Sequence, residues 1–179
     1  MPPSWLLLIY TVPSEPSRKR AYVWRELKKA GAVYLRDGVC ALPHRDDALA
    51  AFRGIAGRIE EYGGEATLVE EARLDEERSQ GIIARSREDR AAEYDEIGRA
   101  AEGFLQHVRR ETEHREFAFA ELAELEADLG KLRRWTEQVR DRDYFGAEGL
   151  ERVEELLASC EEELSGFIEE ASRTKERMR

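Results

Sequence analysis

Trp5 to Val12 is a nearly unbroken apolar run, after which the rhythm of the chain changes. A run of this kind reads as a central strand covered on at least one face. Pro13 and Pro16 close it, Ser14 and Ser17 offer capping oxygens, and Pro16 suits a first helical turn. The helix that follows extends to about Ala30, with Val23, Leu27 and Ala30 on one stripe and Trp24 beside it, and Gly31 ends it. Ala32–Arg36 and Val39–Leu42 read as strands joined by an Asp37-Gly38 hairpin turn, and Pro43 stops the second. Asp46 or Asp47 starts another helix, in which Leu49, Phe52, Ile55, Ala56 and Ile59 recur at helical spacing as far as Gly63-Gly64. Glu65–Val69 reads as a last short strand.

Beyond Asp75 the strand signal ends. Tyr94, Ile97, Ala101, Phe104 and Val108 are spaced by threes and fours. So are Leu122, Leu125, Leu129 and Leu132, with Val139 in phase, and again Leu150, Val153, Leu157, Cys160, Leu164 and Ile168. Three amphipathic helices of this kind pack as a bundle. Loops are expected near His114–Phe117 and at Asp143–Gly149, and the tail Ser172–Arg179 is expected to fray. Leu74–Arg90 also has a helical pattern, which Gly81 weakens. No repeat of 20–50 residues is evident.

The fold class this predicts is α+β. Residues 1–72 carry the order β-α-β-β-α-β of a ferredoxin-like domain, and residues 73–179 form an all-helical bundle of about three long helices. Both helices of such a domain lie on one face of an antiparallel sheet. The other face is left for a partner, a role open to a downstream helical segment.

Charge divides the 179-residue chain. Residues 1–64 hold ten Lys and Arg against seven Asp and Glu, +3, whereas residues 65–179 hold 19 against 32, −13. Only the first part is suited to approach a phosphate backbone. The two cysteines, Cys40 and Cys160, lie far apart and in no metal-ligand spacing, so a reducing cytoplasm is expected, without a disulfide framework or a cofactor. The run Trp5–Tyr10 is far below the roughly 20 residues that span a bilayer, so no membrane partner is expected.

Several stretches resemble chromate resistance proteins of the ChrB family: WLLLIYTVPSEPSRKRAYVWRELKKAGAVYLRDGVCALP, EYDEI (Glu93–Ile97), FAELAELEADLGKLRRW (Phe119–Trp135) and VRDRDYFGA (Val139–Ala147). The likeness runs from residue 5 to about 165 and matches the N-terminal part of that family. Fuller members continue into a second domain, to which the resemblance in these residues does not extend. They are associated with chromate-responsive control of transcription beside a chromate exporter, so the resemblance implies a regulatory or accessory role. The first 70 residues also look like the small ferredoxin-like domain of Cas2 nucleases and PaaX-type repressors. Cas2 nucleases place a catalytic Asp at the end of the first strand; Tyr10, Thr11 and Val12 stand there, which argues against that phosphodiester chemistry.

Arg18, Lys19, Arg20, Arg25, Lys28 and Lys29 are the candidates for binding DNA or a small oxyanion such as chromate, because cations on one helix neutralise phosphates and hold anions. The alternatives are an ordinary solvated face, or docking on acidic helices in the chain or in a homo-oligomer or other protein partner. Glu121, Glu124, Lys131, Arg134, Arg142 and Asp143 match the family motifs and read as interhelical ion pairs or the lining of a polar pocket. His107, Glu111 and His114, at i, i+4 and i+7, share one helix face and are candidate metal ligands, with Glu93, Glu121 and Glu124 as further oxygen donors. A second Glu-x-x-His, which a di-iron bundle needs, does not occur, so a structural role is favoured. Trp5, Trp24 and Trp135 read as core or interface residues. Apolar neighbours of Cys40 favour an inert packed thiol, and Cys160 occupies a stripe position. No Ser/His/Asp or Cys/His nucleophile set and no Gly-rich phosphate loop can be assembled, so enzymatic activity is not expected.

Overall fold

The computed structural model describes residues 3–114 and 119–177. Four strands and two helices come first: β1 (Trp5–Thr11), α1 (Ser17–Lys29), β2 (Val33–Arg36), β3 (Val39–Pro43), α2 (Asp46–Glu61) and β4 (Glu65–Ala72). Three long helices follow, α3 (Glu76–His114), α4 (Phe119–Asp141) and α5 (Leu150–Arg177). The sheet has the order β2-β3-β1-β4, and every neighbouring pair is antiparallel. This is the split β-α-β arrangement expected of a ferredoxin-like domain. β1 is central because its apolar run fits a strand paired on both sides: Leu8 stands opposite Cys40 on one side and Leu68 on the other.

The alternation of β1 sends its side chains to two cores. Leu6 and Leu8 meet Val23 and Leu27 of α1 and Phe52, Ile55 and Ile59 of α2. Trp5 and Leu7 point to the opposite face, where Ile82 and Ile83 of α3 and Phe145 cover them. The indole Nε1 of Trp5 donates to Ser79 Oγ at 3.1 Å, which satisfies the buried N–H. The start of α3 is therefore the downstream helical segment that the sequence left as a candidate cover for this face.

Two compact units result. One comprises Met1–Glu88 with Arg142–Gly146, the other Asp89–Asp141 with Ala147–Arg179. The first unit reaches beyond residue 72 because the opening turns of α3 complete its second core. The Arg142–Gly146 segment joins it through Tyr144, whose hydroxyl donates to Ala30 O at 2.8 Å, and Phe145, whose ring lies 5.8 Å from that of Trp5. The second unit is the helical bundle, with a core that includes Tyr94, Ile97, Phe104, Leu125, Val139, Cys160 and Phe167.

Several local expectations need correction. Leu74–Arg90 is helical from Glu76 onward, as the first part of α3, and Gly81 does not interrupt it. Neither Ser14 nor Ser17 caps α1; Pro16 itself holds the N-cap position, without a side-chain cap. Strand β4 continues past Val69 to Ala72, and α5 remains helical through Arg177, within the tail expected to fray. The loop expected near His114–Phe117 lies, after His114, outside the described residues.

Gly64 marks a tight approach at the end of α2. A Cβ there would stand 2.2 Å from Thr11 O and 2.9 Å from a methyl of Ile59. Because the first obstacle is backbone, Gly64→Ala is expected to lower the stability of the first unit by roughly 1–3 kcal/mol. The urea midpoint measures it.

Candidate functional site

The first unit presents the cationic helix. Val23 and Leu27 turn inward, and Arg18, Arg25, Lys28 and Lys29 fall within about 100° of arc on the far side of α1. Arg20 is exposed outside that arc. Lys29 pairs with Glu26 one turn earlier, at 2.8 Å. The Lys19 ammonium is half-buried, donates to Tyr62 O at 3.2 Å and lies over the Tyr62 ring. Lys28 lies 4.8 Å from the ring centroid of Trp24. Arg18, Arg20 and Arg25 meet no carboxylate among the described residues. Trp24 is not a core residue: it is 50% exposed beside the cations, whereas Trp5 is fully buried and Trp135 packs on the bundle core.

The face toward the sheet holds a polar cluster that the sequence did not reveal. Tyr10 and Tyr34 share a hydroxyl–hydroxyl hydrogen bond of 2.8 Å. Burial raises both phenols above their ordinary range, and for Tyr34 the bond to Tyr10 adds to the effect. Burial pushes the neighbouring Cys40 thiol up to about 12, against a hydrogen bond with Tyr34 that lowers it. Burial likewise raises Cys160 to about 11.

Both thiols are thus held protonated. In the native protein they are expected to resist Ellman's reagent at pH 8, and to react fully in urea. A raised thiol pKa favours the folded state below the unfolded value of 9. For Cys40 that contribution is lost as pH climbs from 9 through about 12. Rapid labelling of the native protein would contradict this.

In the bundle, two of the proposed metal ligands come together with a third residue. His107 Nε2 is 3.0 Å from Glu121 Oε1 of α4 and 3.7 Å from Glu111 Oε1. One ligand atom from each of the three lies within 4.8 Å of the others. His114 is exposed and outside this group. A nitrogen and two carboxylate oxygens suit a divalent cation such as Zn²⁺ or Mn²⁺.

Of the residues in the family-like motifs, Lys131 pairs with Asp128 at 2.8 Å, and Glu124 and Arg134 are exposed on α4. Arg142 and Asp143 belong to the first unit and are half-buried. Among the described residues, Glu121 pairs across helices with His107, and further interhelical ion pairs join Arg109 with Glu163, Arg133 with Glu161, and Arg152 with Glu102. Their partners are set by helix packing, which periodicity alone does not give.

Residues 20–178 match the family described as "Protein ChrB, N-terminal". A similar protein is Protein ChrB of Cupriavidus metallidurans, 31% identical over 93 residues, which are 52% of this chain and 28% of that protein. The match spans less than a third of that relative's length. No solved structure matches. No helix among the described residues is long and apolar enough to cross a membrane.

Proposed function

The chain belongs to the family of the N-terminal region of protein ChrB, and from that premise we propose that it is a regulatory protein of chromate resistance that binds DNA, or a DNA-binding partner, through the cations of α1. The observation that carries this reading is the exposed arc of Arg18, Arg25 and Lys28, none of them paired with a carboxylate among the described residues, in a chain of net charge −10. Cations held out in this way are available to phosphates, and their neutralisation releases counterions. Trp24 beside them adds an exposed aromatic face, a stacking surface of the kind used on unpaired bases. In this proposal the protein acts in the cytoplasm, and the helical unit serves dimerisation or signal input. A gel-shift assay on the DNA upstream of the protein's own operon tests the reading. A shifted band at low salt is expected, and unchanged mobility would remove direct DNA binding.

The group of His107, Glu111 and Glu121 favours a second reading, a metal-binding accessory protein. Metal analysis of protein purified without a histidine tag tests it. About one equivalent of bound metal, lost in Glu121→Gln, supports that role, and metal-free protein that takes up no Zn²⁺ or Mn²⁺ excludes it.

A further inference from the structure

A groove of about 700 Å³ opens in the first unit between the β2–β3 hairpin and the start of α3. It lies on the face of the sheet opposite α1 and α2, so it is separate from the cationic helix. Three arginines line it, Arg36, Arg78 and Arg85, against one acidic residue, Glu77. None of the three arginines forms an ion pair among the described residues, although the chain carries 39 acidic residues. Elsewhere in the same unit Arg53 pairs with Glu70 and Arg58 with Glu61.

The positions of these groups follow from the fold. Arg78 and Arg85 stand two turns apart on one face of α3, a separation of about 10 Å along the axis. Ile82 sits between them and is buried against the sheet. Arg36, at the end of β2, faces them from the hairpin side, beside Leu35 and Val39. Leu35 is one of the large apolar side chains exposed in the first unit. Gly81 leaves the helix wall flat: a Cβ built there meets nothing within 4 Å. No packing contact explains a glycine inside a helix, where it costs about 1 kcal/mol relative to alanine.

We propose that this groove binds a small organic anion, with its phosphate, sulfonate or carboxylate group on the guanidiniums and its apolar body on Leu35, Val39 and Ile82. The volume falls within the usual range for small-molecule sites, on the order of 300–1,000 Å³. Guanidinium groups bind such head groups through paired N–H donors. A bare inorganic oxyanion would use only the rim and leave the apolar floor wet. The groove therefore selects for an anion that also carries apolar surface.

The test uses the full chain and the fluorescent probe 8-anilinonaphthalene-1-sulfonate. Saturable binding of one probe per chain, with enhanced blue-shifted emission, is expected. The double variant Arg78→Gln/Arg85→Gln should weaken it by about tenfold or more, since hydrogen bonds to charged groups are stronger than those between neutral ones. Gly81→Phe fills the groove from a position that touches nothing. It should abolish binding while the thermal midpoint is kept or raised, which separates loss of the site from loss of the fold. The uncharged analogue N-phenyl-1-naphthylamine should bind at least tenfold more weakly. Competition by hexyl phosphate or hexanoate identifies the preferred head group, and displacement by either supports the site. Equal binding of the charged and uncharged probes, or unaltered binding in the Gly81→Phe variant, would overturn the proposal. Failure of DNA binding through α1 would leave this result unaffected, because the two sites share no residue.

Discussion

Replacement of Arg18, Arg25 and Lys28 by glutamine in one variant is expected to weaken duplex DNA binding by about 10²–10³-fold at 0.1 M monovalent salt. Each phosphate contact contributes about −0.9 to the slope of log affinity against log salt, so three lost contacts remove about 2.7 from that slope. The difference between variant and parent should therefore shrink as salt approaches 1 M. Folding should be unaffected. All three side chains are exposed, the inward stripe of Val23 and Leu27 is untouched, and glutamine has a helix propensity close to that of arginine and lysine. Fluorescence anisotropy with a labelled duplex measures the affinity, and the thermal midpoint controls for the fold. A variant that binds as tightly as its parent would take α1 out of the interface.

Phe52→Ala is expected to have the largest effect on stability. Phe52 is fully buried, in the core that α2 shares with Leu6 and Leu8 of β1 and with Leu42 of β3. Truncation of a buried phenylalanine costs about 3–5 kcal/mol, from the lost transfer free energy and the cavity left behind. Set against a typical domain stability of about 5–15 kcal/mol, that is a large fraction. Hydrogen exchange of the β1 and β3 amides should accelerate by about 10²–10⁴-fold, as the free energy of opening the sheet falls. Exchange within a factor of three of the parent would mean that Phe52 is not central to this core. Because the proposed DNA binding requires a folded first unit, the same variant should lose DNA affinity in proportion to its unfolded fraction.

The ferredoxin-like half was legible because each of its elements has a local cause. The apolar run of β1 reads as a central strand covered on at least one face, and the Asp37-Gly38 pair fixes the hairpin. At Gly38 the backbone has φ 71°, and a Cβ would stand 2.6 Å from Tyr10 O. The three bundle stripes were legible for the same reason: a period of three and four on one face requires a partner. What could not be read were the consequences of packing. The weakness that Gly81 gives α3 is a local cost of about 1 kcal/mol. Burial of Ile82 on the sheet outweighs it, and the helix runs on. Trp24 is turned outward because the inward stripe is already set by Val23 and Leu27, one residue short and three beyond.

The candidate sites divide along the same line. The cations of α1 were visible because they sit on one short helix whose buried stripe is plain in the sequence. The approach of Glu121 to His107 depends on how α3 packs against α4, and nothing in the spacing of His107 and Glu111 announces it. Arg36, Arg78 and Arg85 are separated by up to 49 positions in the chain and converge only when α3 crosses the sheet face. Arg142–Gly146 reads as a loop by its glycine and its lack of periodicity. Its function in the fold, seating Tyr144 on Ala30 and Phe145 on Trp5, follows from tertiary contact alone.

The most direct measurement is the affinity of the unaltered protein for a short duplex across a salt series from 50 to 500 mM, a range over which counterion release dominates. With Arg18, Arg25 and Lys28 each neutralising a phosphate, log affinity should fall against log salt with a slope of about −2.7. A flat series, or no binding at the lowest salt, would mean that these cations meet no phosphate backbone.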